Sequence, residues 1–353
     1  MKKYLILTAS YWTWHNAAAW SIKKHLIQKW DEVEILDMTE LLLKWWDNSK
    51  KFYSLSEKIP FIWDATFTLL DQQFTNEILN MIFKSIYQKK FNKFVDNYLP
   101  DYIICTFPNW PIFINNYLLT RKKYFKTAEI ITDAIEIWMP WYFSSDIIDN
   151  FFVLDKNTKS IFKKKFKHKK NNVNVSFFPI EEKYFIDKET IQNKHIMILL
   201  TGLKLDFITS LLQKLKEETF YDKIKIIKWR NDNVYNKVKT KIKDSRFEFV
   251  DYLNIKDELK KIDILIAKPG WAIMCECIAQ DVPMIIPSFI PGQEEWNIKL
   301  LEKESLWFYE PSHEKIIFAL KFLDFKRFLP NFARVKKKNS IAYIIDKMTR
   351  TDK

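Results

Sequence analysis

The stretch IDILIAKPGWAIMCECIA, residues 262–279, decides the fold of this chain. Its first part, residues 262–267, is a short apolar run that predicts a buried strand, and the apolar residues after Gly270 predict a helix. Pro269 and Gly270 mark the loop between the two. A buried strand followed by a glycine loop and an apolar helix is the repeating unit of α/β proteins with parallel sheets.

The same alternation of strand and helix extends in both directions along the chain. Short apolar runs rich in Ile, Val and Phe predict further strands. They lie at residues 4–9, 33–37, 102–105, 129–132, 151–154, 173–178, 195–201, 223–228, 247–250 and 284–287. Helices are predicted at residues 17–28, 39–43 and 206–217. The sequence therefore predicts an α/β fold whose parallel sheets are covered on both faces.

The pattern stops and restarts near residues 183–194, which divides the chain into two Rossmann-like halves. We assign residues 1–185 to an N-terminal domain and residues 186–330 to a C-terminal domain. Residues 331–353 are basic and include apolar residues at helical spacing, which predicts a closing helix. A chain of 353 residues is long enough for two domains with separate cores.

The segment 45–99 is rich in aromatic residues and lysines, and its apolar residues recur at helical spacing. Two interpretations remain open for it. It is either a helical pair packed on the sheet, or an amphipathic surface that enters a lipid interface while its lysines meet anionic headgroups. The net charge of +13 favours a polyanionic partner, and we expect an anionic membrane surface and no nucleic acid.

The cellular setting follows from cysteine usage and hydropathy. Cys105, Cys275 and Cys277 make neither a disulfide framework nor a zinc spacing, which favours a reducing environment. The apolar run at residues 4–9 is too short for a signal peptide and reads better as a first strand. Since no apolar run reaches the roughly 18–20 residues of a membrane span, we expect a cytoplasmic protein that is peripheral on the inner face of the cell membrane.

The composition contains one anomaly, with 3 glycines beside 14 tryptophans. An average glycine usage of about 7% predicts roughly 25 glycines in a chain of this length. Tryptophan stands at loop positions where glycine is expected, namely Trp12, Trp14, Trp229, Trp271 and Trp296. UGA is read as glycine in some bacterial lineages, and our hypothesis is that these residues are glycine in the living protein. The alternative is that the tryptophans are real and the protein is unusual or decayed.

Several motifs together resemble one known family. The motif KPGW at residues 268–271 is followed by Glu276 and then by PGQEEWN at residues 291–297. This combination is similar to the donor site of the diacylglycerol glycosyltransferases, which include monogalactosyldiacylglycerol synthases and processive glucosyltransferases. The loop ASYWTWHN at residues 9–16 and the pair Thr132-Asp133 resemble N-terminal parts of the same family. The resemblance implies a GT-B fold, in which two Rossmann-like domains with parallel sheets face a central cleft.

The resemblance assigns a UDP-sugar to the second half. Gly270 and position 271 would supply a helix N-terminus, whose N–H groups and dipole stabilise a diphosphate. Glu276 would accept hydrogen bonds from both ribose hydroxyls, and Gln293 and Glu294 would bind hydroxyls of the transferred sugar. The other predicted donor-binding residues are Trp271, Gly292, Asn297, Arg230 and Asn231. An ordinary helix cap is the competing interpretation for each residue alone, and their joint spacing favours the site.

His15 is the candidate general base. Direct displacement at an anomeric carbon requires the acceptor hydroxyl to lose a proton, and imidazole is suited to that near neutral pH. A capping or acceptor-positioning role is the rival interpretation for His15. Asp133 would either hold His15 in the correct tautomer or act as the base itself, and the sequence leaves both roles open.

No metal or cofactor is expected besides the UDP-sugar substrate. No Asp-x-Asp motif accompanies the predicted donor site, and Asp263 is followed by Ile264 and Leu265 instead of a second carboxylate. The resemblance implies a metal-independent enzyme that inverts the anomeric carbon, with the helix dipole in place of a cation.

The predicted function is transfer of a hexose from UDP-glucose or UDP-galactose to diacylglycerol, which makes a membrane glycolipid. One alternative is a UDP-N-acetylglucosamine transferase that acts on a lipid-linked peptidoglycan precursor. Another is a non-catalytic relative that binds nucleotide sugar or membrane. A nucleic-acid-binding module is disfavoured because the sequence contains no helix-turn-helix, RNP-type or zinc signature.

Overall fold

A computed structural model describes residues 1–10, 13–37, 73–121, 124–132, 147–165, 172–192, 194–228, 231–290, 293–306 and 308–350. The predicted helix at residues 39–43 and much of the segment 45–99 lie outside these ranges. The chain divides into two compact units. The first contains residues 1–181 and 339–353, and the second contains residues 182–338.

Each unit is built on a six-stranded parallel sheet. The strands are β1 (Lys3–Thr8), β2 (Glu32–Asp37), β3 (Tyr102–Cys105), β4 (Lys126–Ile130), β5 (Asn150–Val153), β6 (Asn172–Val175), β7 (His195–Leu199), β8 (Lys223–Ile227), β9 (Phe247–Val250), β10 (Ile264–Ile266), β11 (Met284–Ile286) and β12 (Phe308–Tyr309). Every strand predicted from the sequence is present, with ends shifted by a few residues. The two-residue strand β12 was not predicted, because it is too short to form an apolar run.

Helices connect most of these strands. They are α1 (Thr13–Gln28), α2 (Gln73–Tyr98), α3 (Pro111–Arg121), α4 (Lys156–Lys165), α5 (Leu205–Lys216), α6 (Asp232–Lys241), α7 (Ile255–Leu259), α8 (Trp271–Ala279), α9 (Gln293–Lys303), α10 (His313–Phe322), α11 (Leu329–Val335) and α12 (Ser340–Thr349). The prediction placed the start of α1 near Ala17, and the structure places it four residues earlier, at Thr13. No proline or glycine separates Thr13 from Ala17, so the helix begins earlier and carries Trp14 and His15 in its first turn.

The first sheet is buried on both faces, which explains its continuous apolar strands. Leu5 and Leu7 of β1 point into a core with residues of α2 and α3. Tyr4 and Ile6 point to the opposite core, because side chains alternate along a strand. All four side chains are essentially inaccessible to solvent.

The predicted closing segment 331–353 consists of two helices in different units. Helix α11 belongs to the second unit, and α12 packs its apolar face into the first unit's core beside Tyr4. The two helices are separated at Lys336, where an extended backbone ends α11. The Lys336 ammonium lies 2.7 Å from carboxylate oxygens of both Asp187 and Asp281 in the second unit. This buried ion pair holds the end of α11, and the chain leaves the second unit after residue 338.

Strand order locates the crevice of each sheet. The first sheet runs β2-β1-β3-β4-β5-β6, and the second runs β12-β11-β10-β7-β8-β9. In the first sheet the order in which the chain adds strands reverses between the neighbouring strands β1 and β3. In the second sheet it reverses between β7 and β10. Ligands of open parallel sheets bind outside the carboxyl ends of strands at such a switch point. The loops after these four strands are therefore the candidate functional loops.

Candidate active site

The glycine loop after β10 opens helix α8 at the switch point of the second sheet. Gly270 is the N-cap residue, in extended conformation, and the Gly270 carbonyl accepts the first helical hydrogen bond from the Met274 N–H at 3.0 Å. Glycine contributes no capping side chain, so the first-turn N–H groups of α8 are directed at whatever ligand occupies the loop. This geometry suits a diphosphate.

Two predicted donor residues support this loop from helix α9. The Asn297 amide, which is buried, donates from Nδ2 to the Pro269 carbonyl at 2.8 Å. Glu294 is buried beside it, and its Oε1 lies 3.1 Å from Lys268 Nζ. The loop after β10 and the start of α9 are thus joined by a neutral hydrogen bond and an ion pair.

Glu276 lies in the second turn of α8, where its side chain is nearly buried. Its carboxylate lies 3.5 Å from Lys256 Nζ. Burial raises the pKa of Glu276 above the ordinary carboxyl value, and the Lys256 ammonium opposes that shift. An ionised carboxylate here offers two acceptor oxygens, which is what a pair of ribose hydroxyls requires.

Asn231 connects two loops at the same edge of the second sheet. It follows β8, and its Nδ2 donates to the Leu200 carbonyl after β7 at 2.7 Å. The side chain of Asn231 therefore fixes the loop that carries Gly202. Its predicted neighbours Trp229 and Arg230 lie outside the described residues, as does Gly292. Gln293 begins helix α9, and its side chain is outside the description.

Three of the five tryptophans at predicted glycine positions are described. Trp271 is the first residue of α8 and is buried next to the loop that would hold a diphosphate. Trp296 lies in α9, with Lys299 Nζ 4.3 Å from its ring centre. Trp14 contacts the His15 ring at a centroid distance of 5.5 Å. Trp12 lies outside the described residues.

His15 lies at the switch point of the first sheet, between the ends of β1 and β3. Its Nδ1 lies 2.5 Å from the Thr106 carbonyl oxygen and 3.3 Å from Thr132 Oγ1. A carbonyl only accepts hydrogen bonds, so Nδ1 carries the proton and the neutral ring has its lone pair on Nε2. Burial lowers the pKa of His15 to about 3, against the opposing effect of the Thr106 carbonyl. The ring is therefore neutral at physiological pH.

The loop that leads to His15 is fixed by hydrogen bonds between side chains. Asn16 accepts from the Thr8 hydroxyl at 2.9 Å and donates to Ser10 Oγ at 2.8 Å. The Ser10 hydroxyl in turn donates to the Asp37 carboxylate at the end of β2. These bonds hold the end of β1 against the first turn of α1. Asp133, the alternative base, lies outside the described residues.

The described ranges contain no group of three or more His, Cys, Asp or Glu side chains placed to bind a metal ion. Asp263 accepts hydrogen bonds from the backbone N–H groups of Lys194 and His195, both at 3.0 Å. It therefore fixes the amino end of β7, at the edge of the sheet opposite the candidate loops. In the same ranges, no helix combines the length and apolar character needed to cross a bilayer.

The chain is similar to several known proteins. Residues 15–180 match the family model of monogalactosyldiacylglycerol (MGDG) synthase. The processive diacylglycerol beta-glucosyltransferase of Bacillus subtilis strain 168 is 23% identical over 347 residues, which cover 90% of this chain and 85% of the relative. The family model and this relative confirm the resemblance to diacylglycerol glycosyltransferases that the motifs indicated. The Bacillus licheniformis enzyme of the same name is 25% identical to this glycosyltransferase over 349 residues, with the same coverage.

Solved structures identify the fold of this glycosyltransferase as GT-B. MurG of Acinetobacter baumannii superposes with a TM-score of 0.63 at 12% identity, over 99% of this chain and 100% of MurG. The two Rossmann-like units with parallel sheets agree with the fold that the motifs implied.

Two parts of the candidate site could not be predicted from the sequence. The Thr106 carbonyl sets the tautomer of His15, and a backbone carbonyl leaves no residue-type signal. Lys256 faces Glu276 from helix α7, which is distant in sequence from every motif. Thr132, by contrast, belonged to a motif and does lie beside His15.

Proposed function

We propose that this glycosyltransferase moves a hexose from UDP-glucose or UDP-galactose to diacylglycerol. The observation that supports this most strongly is the arrangement of Gly270, Glu276 and Glu294 around one switch point, in a chain similar to diacylglycerol glycosyltransferases. The Bacillus relatives are named as processive diacylglycerol glucosyltransferases. Transfer of N-acetylglucosamine to a lipid-linked peptidoglycan precursor stays the alternative.

In this proposal the second unit binds the donor. The diphosphate lies at the N-terminus of α8, where the helix dipole and first-turn N–H groups stabilise the negative charge that the leaving UDP acquires. Glu276 accepts from the ribose hydroxyls. Glu294 accepts from the sugar hydroxyls, and the Gln293 amide accepts from or donates to them. Asn297 donates to the Pro269 carbonyl, so that the loop keeps its shape.

The first unit supplies the base. The acceptor oxygen attacks the anomeric carbon while the bond from that carbon to the β-phosphate oxygen breaks, and the hydroxyl proton passes to Nε2 of His15. Attack from the face opposite the leaving UDP inverts the anomeric configuration. Since burial disfavours the imidazolium that forms, a nearby negative charge is required for an efficient base. Asp133 is the proposed source of that charge, or the base itself.

Helix α2 is the proposed membrane-docking element on the inner face of the cell membrane. Ile78, Met81, Ile82 and Ile86 recur at helical spacing along its N-terminal part, and all are exposed, Met81 to 70%. Exposed lysines, namely Lys84, Lys89, Lys90 and Lys93, follow on the same helix. Its C-terminal half packs into the first core. An apolar stripe with lysines on an anchored helix suits insertion among anionic headgroups.

A donor and acceptor panel tests the proposal. The protein, with glycine at positions 12, 14, 229, 271 and 296, is incubated with UDP-glucose, UDP-galactose or UDP-N-acetylglucosamine and with diacylglycerol or a lipid-linked peptidoglycan precursor. We expect a β-linked hexosyl-diacylglycerol, identified by mass and by the anomeric proton coupling. Transfer to the peptidoglycan precursor alone would replace the proposal with the alternative. Binding of UDP without any product would instead indicate a nucleotide-sugar sensor.

A further inference from the structure

Lys268 occupies the crevice of the second sheet, in the loop after β10. Its stem packs against Gly202 in the loop after β7, where a Cβ would lie 2.8 Å from Lys268 Cδ. Gly202 also has a φ of +73°, a conformation that side-chain-bearing residues rarely adopt. The backbone conformation at position 202 therefore favours glycine, and a larger residue there would displace the Lys268 stem.

The Lys268 ammonium connects this crevice to the predicted sugar-binding carboxylate. Its Nζ lies 3.1 Å from Glu294 Oε1, and the other oxygen, Oε2, accepts the Ile290 N–H at 2.7 Å. The Glu294 carboxylate is therefore held from two sides. A carboxylate has about four acceptor positions, so both oxygens can still accept hydrogen bonds from a ligand.

We propose that Lys268 is a positioning residue for the transferred sugar, because it fixes the Glu294 carboxylate in the orientation that accepts the sugar hydroxyls. This inference rests on the proposed function, since it requires a UDP-sugar in this crevice. Lys268 acts through Glu294, whereas the nucleotide is bound by the Gly270 loop and Glu276. Loss of Lys268 therefore weakens binding of UDP-sugar and leaves binding of UDP nearly unchanged.

The experiment measures equilibrium affinities for UDP-glucose, UDP-galactose and UDP by calorimetry. The parent protein carries glycine at positions 12, 14, 229, 271 and 296, as in the transfer experiment. The variants of this parent are Lys268→Met, Glu294→Gln and the double variant, together with the conservative Lys268→Arg. The matched control is Lys299→Met, which removes an exposed ion pair with Glu295 from the same helix α9. Far-UV circular dichroism and the melting temperature show whether each variant is folded.

We expect Lys268→Met to weaken UDP-sugar binding about 10-fold or more, the scale of one charge-assisted hydrogen bond, and UDP binding by less than about 3-fold. In the Glu294→Gln background the lysine change adds little, because coupled residues are not additive. Lys268→Arg regains part of the loss, and Lys299→Met has no effect. Equal losses for UDP and UDP-sugar, or additive losses in the double variant, would overturn the role of Lys268. A parent protein that binds no UDP at all would overturn the proposed donor site itself.

Trp30 lies just after helix α1 and has a left-handed backbone conformation. Its φ is +63°. The Trp30 N–H donates to the Ile27 carbonyl at 3.0 Å, and the Asp31 N–H donates to the Leu26 carbonyl at 3.2 Å. This pair of hydrogen bonds is a Schellman motif with Trp30 at C′, the position where glycine is strongly enriched.

The Trp30 side chain gains little from this position. It is 87% exposed, and a side chain in the left-handed region is sterically disfavoured. Trp110 of the same unit behaves in the opposite way. It is fully buried, and its indole N–H donates to the Thr8 carbonyl at 2.7 Å. Trp110 therefore uses its indole for packing and hydrogen bonding, whereas Trp30 occupies a backbone position that favours glycine.

We infer that residue 30 is glycine in the protein as its own cell makes it, through a UGA codon read as glycine. This position lies outside the sugar-transfer motifs, so its backbone geometry supports recoding independently of the family resemblance. By the same reasoning Trp110 is a genuine tryptophan, encoded by UGG.

Mass spectrometry of the protein from its source organism tests this inference through tryptic peptide 30–44 and the codon at position 30. We expect glycine and UGA. Tryptophan in the peptide, or UGG in the gene, would overturn it. In a heterologous host Trp30→Gly should raise the melting temperature by about 2–4 °C. The matched control Trp20→Gly, in the interior of the same helix, should lower it. A lower melting temperature for Trp30→Gly would contradict the geometric argument.

Discussion

The two switch points use different means to hold their functional groups. In the second unit, side chains hold backbone, as when Asn297 donates to the Pro269 carbonyl and Asn231 to the Leu200 carbonyl. In the first unit, side chains hold the loop before His15, but the His15 ring itself is held by a backbone carbonyl, that of Thr106. The proposed donor crevice is therefore visible in residue types, whereas the position of the His15 ring depends on backbone geometry.

We expect this difference to reflect two functions, recognition of the donor in the second unit and removal of a proton in the first. A nucleotide sugar is a fixed ligand with many polar groups, so several specific side chains can recognise it. Proton removal needs one well-oriented group near the reacting hydroxyl. If the division is correct, changes at the two switch points should affect different kinetic parameters.

The largest expected effect is at His15. His15→Ala should lower kcat by about 10²–10⁴-fold, the usual contribution of a general base, while the affinity for UDP-sugar stays within about 3-fold. Steady-state transfer and calorimetry measure the two quantities. If kcat falls by less than 10-fold, Asp133 becomes the base, and His15 has the positioning role.

The proposed docking face should affect only the reaction at a lipid surface. Met81→Asp combined with Ile82→Asp should weaken binding to anionic vesicles by about 100-fold or more, given roughly 1.5–3 kcal/mol for each of the two apolar side chains that would be buried. Vesicle sedimentation measures this. Leu119→Asp, at a comparably exposed leucine on α3, is the control and should bind normally. Equal losses in both proteins would contradict a specific face.

Substitution of Glu276 should raise the KM for the UDP-sugar. Glu276→Ala removes the proposed acceptor for the ribose hydroxyls, which bind equally in the ground and transition states. We expect KM for UDP-sugar to rise about 10–100-fold with kcat within about 3-fold, as for loss of uniform binding. A fall in kcat at unchanged KM would move Glu276 into the chemical step.

The smallest expected effect is a pH dependence of UDP affinity. The folded pKa of Glu276 is raised, so its carboxylate becomes protonated at higher pH than an ordinary glutamate. Affinity should therefore be constant at neutral pH and fall by a few-fold on acidification, beginning above the ordinary carboxyl range. Glu276→Gln should keep only the dependence that comes from UDP itself. Identical pH profiles for the two proteins would contradict the assignment.

Much of the fold could be read from the sequence, because buried parallel strands are nearly continuous apolar runs. Residues 247–250 and 102–105 were predicted with the bounds they have in the structure. The start of α1 was placed too late, because a glycine-type loop was expected at Trp14. The closing segment was taken as one helix, because nothing in its composition shows that Lys336 pairs with distant Asp187 and Asp281.

The motifs placed Gly270, Glu294 and Asn297 close together, and the structure brings them to one switch point; their role in donor binding stays a prediction. The surroundings of His15 were not predictable, since Thr106 acts through its carbonyl and Phe107 through a ring contact at 5.2 Å. Such contacts depend on the pairing of β1 with β3, which brings together residues about ninety positions apart. Residue type alone does not report that proximity.

We propose that this protein transfers a hexose to diacylglycerol and that its site requires glycine at the loop positions. The direct test measures transfer from UDP-glucose and UDP-galactose to diacylglycerol in anionic micelles. It compares the printed sequence with a form carrying glycine at Trp12, Trp14, Trp229, Trp271 and Trp296. We predict glycolipid from the glycine form and none from the printed form, because the Trp271 indole lies beside the diphosphate loop. Glycolipid from both forms would remove the case for glycine at these positions, and no glycolipid from either form, despite UDP binding, would contradict the proposed acceptor.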